Sequence, residues 1–156
     1  MKHHFMKKLF FLLSLSIFTS ALLRAQADKI TGYWLTEEGT SQVRVYKAKD
    51  GQYYGKITWL DEPYENGKPK VDDENPDPGL RNRPIMGLQI LEGLEYSGKD
   101  KEWKNGTIYD PKSGKTYDCY MWFEDNPETL YMRGFVMGMR WLGRSSAWTR
   151  EENRNN

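Results

Sequence analysis

Along most of this chain, apolar and polar residues alternate with a period of two, the mark of strands half-buried in a sheet. Val43 and Val45 share one face of their segment against Gln42 and Arg44. Gly55, Ile57 and Trp59 oppose Lys56 and Thr58, and Leu130, Met132, Gly134 and Val136 oppose Tyr131, Arg133 and Phe135. After the N-terminal 30 residues or so no amphipathic helical stretch of useful length appears; β runs of about six to ten residues end in turn chemistry instead. The turns are Glu38-Gly39, Asp50-Gly51, Ser97-Gly98-Lys99-Asp100, Lys112-Ser113-Gly114 and Asp125-Asn126-Pro127-Glu128. Between them the pattern predicts strands near 31–36, 41–48, 53–60, 87–96, 102–109, 115–124, 129–137 and 141–150. Asn105-Gly106 falls too soon after Asp100 to be a hairpin turn, so Gly106 is expected to be a bulge.

Eight strands joined mostly by tight turns predict an all-β fold, a single eight-stranded up-and-down antiparallel barrel, because closure removes unpaired edges. Barrels of that size are filled by side chains or hold one small ligand. A two-sheet sandwich is the structural alternative. One connection is long. Asp61 to Pro84, between the third and fourth strands, contains Pro63, Pro69, Pro76, Pro78 and Pro84 and shows no strand pattern. Loops of such length in compact domains are usually functional or disordered, and five prolines favour an ordered one. In a meander, successive turns alternate between the two ends of the barrel. The Pro-rich loop therefore shares its end with the turns at 37–40, 110–115 and 137–140, while Gly32 and Arg150 fall at the opposite end.

The first residues follow another pattern. Lys2, Lys7 and Lys8 precede an apolar run from Leu9 to Leu23 and then Ala25-Gln26-Ala27, a small-residue cleavage pattern. Residues 1–27 are expected to be a cleavable signal peptide, cut after Ala27 or alternatively after Ala25, with 28–156 as one barrel domain. That predicts a periplasmic or secreted protein without a membrane span once the leader is removed. The leader holds four of the 23 basic residues, leaving 19 against 22 acidic ones, and no basic run for nucleic acid. It also holds both histidines, His3 and His4. The remainder therefore excludes a Ser-His-Asp triad, a Cys-His pair and a His-ligated metal. Cys119, the lone cysteine, cannot form an internal disulfide and is expected to be a buried thiol.

Gly32-Tyr33-Trp34 on the first strand, with Trp148-Thr149-Arg150 returning on the last, resembles the calycins, the lipocalin-like barrels. Gly32, Trp34, Trp148 and Arg150 are read as structural residues of that barrel end, where an Arg can lie over an indole and donate to nearby carbonyls. Longer matches run through NPDPGLRNRPIMGLQILEGL (Asn75 to Leu94), GTIYDPKSGKTY (Gly106 to Tyr117), MRGF (Met132 to Phe135) and LGRSSAWTR (Leu142 to Arg150). Together these are similar to the bacterial exported family called domain of unknown function 2147. The resemblance implies a lipocalin-like barrel behind a signal peptide and supplies no established activity. Many relatives carry paired cysteines around the second hairpin; here Tyr46 to Lys56 has none.

Several features are candidates for chemistry. Arg81 and Arg83 could grip a carboxylate or phosphate, or pair with Asp72, Asp73, Glu74 and Asp77 and pin the loop. Asp73-x-Asn75-x-Asp77 has part of a calcium-loop spacing, but Pro78 and Pro84 stand where Gly and Glu are needed, so no metal is expected. Met132, Met137, Met139 and Trp141 suit either an apolar pocket or a packed interior. No carboxylate pair has a context that fixes a catalytic separation; Tyr109-Asp110 near the mouth is the one polar pair worth inspecting for catalysis. The expectation is a non-enzymatic protein without cofactor that binds a small amphipathic or anionic ligand through Arg81, Arg83, Tyr109, Met137, Met139, Arg140 and Trp141. The alternative is a packed barrel that docks an envelope protein through its loop face.

Overall fold

The computed structural model describes residues 24–155. The alternating segments become β1 (Gly32–Leu35), β2 (Ser41–Lys47), β3 (Tyr53–Leu60), β6 (Gln89–Ser97), β7 (Glu102–Asp110), β8 (Lys115–Phe123), β9 (Thr129–Val136) and β10 (Met139–Glu151). They close into one barrel in the order β1-β10-β9-β8-β7-β6-β3-β2, each pairing antiparallel with its neighbours. This is the eight-stranded meander that the alternation predicts, and the sandwich is excluded. The register shifts between Trp103 and Gly106, so Asn105-Gly106 is a bulge as expected. Two further strands, β4 (Tyr64–Glu65) and β5 (Lys68–Pro69), form a small hairpin inside the long loop. Its turn is Asn66-Gly67, both at positive φ, the two-residue chemistry that matches strand twist. Two-residue strands are too short to alternate, so the pattern did not reveal them.

One end of the barrel is packed solid. Trp34, Tyr53, Leu94, Trp103, Met121 and Leu130 are all buried there. Phe123 lies between the two indoles, 5.8 Å from the Trp34 ring and 5.5 Å from that of Trp103. Residues 24–27 form a helical turn that runs into a 3-10 turn at Asp28–Ile30, and this segment lies against the aromatic cluster. The Trp103 indole donates to the Ala27 carbonyl at 2.9 Å and the Trp34 indole to the Ile30 carbonyl at 2.8 Å. Two buried donors that would each cost free energy if unpaired are thereby satisfied. The expected leader lies otherwise outside the described residues.

Arg150 completes that end. Its guanidinium sits 4.1 Å from the Trp34 ring centroid and donates to the Thr31 and Lys29 carbonyls at 3.0 and 2.8 Å. Gly32 has φ +134°, and a Cβ there would stand 2.8 Å from an Arg150 nitrogen. Trp148 is buried farther up β10 and pairs with Leu130. Gln42, on the polar face of β2, is nevertheless fully buried. The chain after β10 folds back over β2 and β3: the Gln42 amide donates to the Glu152 carbonyl at 2.8 Å, and Arg154 covers Trp59.

Candidate functional site

At the other end the barrel is hollow. A cavity of about 800 Å³ opens between the β1–β2 turn, the start of the long loop, the β7–β8 turn and the beginning of β10. Its wall carries Ile57, Ile90, Ile108, Met132 and Trp148, with Tyr117 and Gly134 among them. The hollow has a simple origin in side-chain size. Inward positions of β9 and β10 run Leu130, Met132, Gly134 and Trp148, Ser146, Arg144, in cross-strand register. Toward the packed end both partners are bulky, Leu130 and Trp148; toward the mouth each level pairs one long residue with a small one, Met132 with Ser146 and then Arg144 with Gly134.

The long loop is tied to the mouth by a buried carboxylate. Asp72 is fully buried and accepts from the Tyr109 hydroxyl at 2.6 Å, the Asn75 amide at 2.7 Å and Arg83 Nε at 2.8 Å. Burial opposes its ionisation, but these hydrogen bonds and the Arg83 charge outweigh it and hold the carboxyl below the usual carboxylate range. Burial and the Asp72 carboxylate both push the Tyr109 phenol up. The β7–β8 turn closes against the same loop so tightly that a Cβ on Gly114 would stand 1.9 Å from the Glu74 carbonyl oxygen. The Pro-rich loop is thus an ordered wall.

This knot accounts for both loop arginines. Arg83 pairs with Asp72 and lies 5.7 Å from the Tyr109 ring centroid, and Arg81 Nε donates to the Asn75 carbonyl at 2.7 Å. Neither lines the cavity. Tyr109 does line it, with its hydroxyl bound to Asp72. Asp110 accepts from Lys112 N–H and the Ser113 hydroxyl within its own turn. Asn75 and Asp77, two of the calcium-spaced residues, are occupied by the loop itself: Asn75 Oδ1 accepts from Asp77 N–H, and Asp77 from Gly79 N–H.

Met137, Met139, Arg140 and Trp141 do not line the cavity, and for Arg140 and Trp141 the cause is a wide bulge. Met139 pairs with Val136 but Gly143 pairs with Phe135, so three residues of β10 have no partner on β9. Arg140 and Trp141 turn to the outer wall, while Leu142 stays among the residues lining the cavity. Arg133 donates to the Arg140 and Trp141 carbonyls, and Arg140 grips Glu102 bidentately while lying 4.0 Å from the Tyr120 ring centroid. Met137 and Trp141 are left 83% and 74% exposed. Past the bulge β10 resumes its register, and Arg144 comes to lie directly opposite Gly134, among the residues lining the cavity. The sequence reading missed Arg144. Its parity with Ser146, Trp148 and Arg150 on β10 was the available signal.

A closed eight-stranded barrel, packed at one end and hollow at the other, is the architecture of the lipocalin-like proteins. The solved structure of HP1028 from Helicobacter pylori, described as belonging to the lipocalin family, is similar to this chain, with TM-score 0.68 and 25% identity over 81% of this chain and 85% of that one. Residues 32–150 match the family model described as "Uncharacterized protein conserved in bacteria (DUF2147)". The chain belongs to that family. No curated protein matches it.

Proposed function

We propose that the protein carries one small amphipathic molecule in the hollow half of its barrel, its apolar part against Ile57, Ile90, Ile108, Met132 and Trp148. The cavity carries this reading. Its volume lies within the roughly 300–1,000 Å³ typical of small-molecule sites, and a lipocalin-like barrel suits such binding in general. We read the protein as a binder rather than an enzyme; the engagement of Tyr109 and Asp110 in holding the loop and its neighbouring turn supports that reading. The test is displacement of an apolar fluorescent dye by single-chain amphiphiles and isoprenoids, with native mass spectrometry of protein from its own host. Displacement and a co-purifying mass are expected. A dye that never enters, with an empty protein by mass, overturns the reading.

A second reading is favoured by the outer wall. Met137 and Trp141 are exposed on a segment fixed by Arg133 and Arg140 rather than loose, which suits a docking surface for an envelope protein. Crosslinking that is lost on Trp141→Ser with dye binding unchanged supports docking in addition to carriage.

The basic and apolar start of the chain supports export to the periplasm or medium. No helix among the described residues is long and apolar enough to cross a membrane. Ala27 is buried and its carbonyl serves Trp103, which favours cleavage after Ala25, leaving Gln26 as the first residue. Intact mass of the exported protein decides this: a chain beginning at Asp28 refutes it.

A further inference from the structure

We propose that Arg144 is the anchor for the ligand's polar end, and that this end is an oxyanion, a carboxylate or phosphate on an apolar body. The inference rests on the carrier reading and names the chemistry of the same cavity.

Residues opposed in an antiparallel pair point to the same face of the sheet. Gly134 points inward, since a Cβ on it would lie 3.6 Å from Tyr117 Cβ and 3.8 Å from Ile108, both wall residues. Arg144 faces Gly134 and therefore projects into the same space, and the missing side chain across from it leaves the room a head group needs.

The charges around the mouth separate Arg144 from its neighbours. Lys70 is paired with Glu62 and Lys112 with Glu38. The Arg144 side chain has neither a hydrogen bond nor a carboxylate within ion-pair distance among the described residues; it acts on Glu38 only through space, helping Lys112 hold that carboxyl low. Glu38 is itself satisfied by Lys112, so the guanidinium fork remains available. Such a fork binds a carboxylate or phosphate through two parallel hydrogen bonds. The Tyr117 hydroxyl, which has no hydrogen-bond partner among the described residues, lines the same cavity and can supply another donor. Arg144 is exposed at the mouth, so its guanidinium is reachable by a head group whose apolar body lies deeper, against Ile108 and Met132. The anionic head expected from Arg81 and Arg83 is thereby assigned to a different residue.

The experiment uses ligands that share one chain and differ only in the head: dodecanoate, dodecyl phosphate, dodecanol and dodecylamine, each competed against the dye. The two anions are expected to bind about tenfold or more tighter than the alcohol, and the amine weakest. Arg144→Gln should erase the advantage of the anions while leaving the alcohol unchanged, and Arg144→Lys should restore part of it. An unchanged melting temperature controls for folding. The carboxylate-to-phosphate ratio separates the two head chemistries. Equal binding of alcohol and anions to the natural protein, or an anion preference that survives Arg144→Gln, overturns the assignment while the carrier reading stands. If none of the four binds, both fail.

Discussion

The two ends of this barrel are built from the same strands and differ in what faces inward. At the packed end, Trp34, Tyr53, Trp103 and Phe123 fill the cross-section, and each indole N–H meets a carbonyl of the 24–30 segment. At the hollow end the inward positions of β9 and β10 shrink to Gly134 and Ser146, and the buried polar groups belong to the loop knot around Asp72. One end spends its inward residues on cohesion, and the other leaves space and holds its edges in place. Cohesion and open space are therefore assigned to different halves of one sheet.

The sharpest way to break this comparison is to truncate one inward side chain in each half to alanine. Trp103→Ala removes a fully buried indole and is expected to cost about 4 kcal/mol, read as a large fall in urea midpoint. Met132→Ala enlarges a space that is already open, and should cost about 1 kcal/mol or less. Equal losses would mean that the hollow is filled in solution.

How much of this was legible differs between the halves. Strand positions and closure were readable, because period-two alternation and Gly, Pro or Asx turns are local properties. The sealing of one end by Arg150 and Gly32 was readable too, because the two lie at the first and last strands of a closed meander. The mouth was not. Its residues were assigned by counting turns, and the bulge at Arg140–Leu142 defeats counting: it turns Arg140 and Trp141 to the outer wall and brings Arg144 opposite Gly134. A bulge of three residues leaves no mark in alternation when the flanking residues are mixed. Arg81 and Arg83 had two readings that sequence alone could not rank, and only the burial of Asp72 decides between them.

The next effect concerns the edge of the hollow half. Asp72→Ala would leave Arg83, the Tyr109 hydroxyl and the Asn75 amide without their shared acceptor, at roughly 3 kcal/mol. Because the loop lies on one rim, the loss should appear first as proteolysis and hydrogen exchange within 61–84, ahead of global unfolding. The pH dependence has a definite sign. The folded Asp72 pKa is lowered, so its stabilisation is present above the unfolded value of about 3.9 and is lost as pH falls through the lower folded value. Loop protection in the natural protein should thus fade only in strong acid, and Asp72→Ala should already lack it at neutral pH. The packed end holds a carboxylate of the same kind in Asp28, kept low first by the Tyr53 hydroxyl and then by Lys47, so an acid step is expected there as well.

A smaller cost probes the seal. Gly32→Ala forces an L side chain to φ +134° with its Cβ against the Arg150 guanidinium, at about 1–2 kcal/mol. The guanidinium must give way, so the indole fluorescence of the packed end should change while dye entry at the mouth does not.

The smallest effect on stability should have the largest effect on binding. Gly134 has no positive φ, and a Cβ there makes only ordinary contacts with Tyr117 and Ile108, so Gly134→Leu fits the strand and extends into the hollow. Filling empty apolar space adds contacts without displacing any, and the melting temperature should stay level or rise slightly. The space across from Arg144 is then occupied by a side chain, and dye and amphiphile should be excluded together. Unchanged ligand binding in a folded Gly134→Leu protein would place the ligand outside the barrel and shift the weight to the exposed Met137 and Trp141 wall. Loss of binding with undiminished stability would confirm that the two halves do separate jobs.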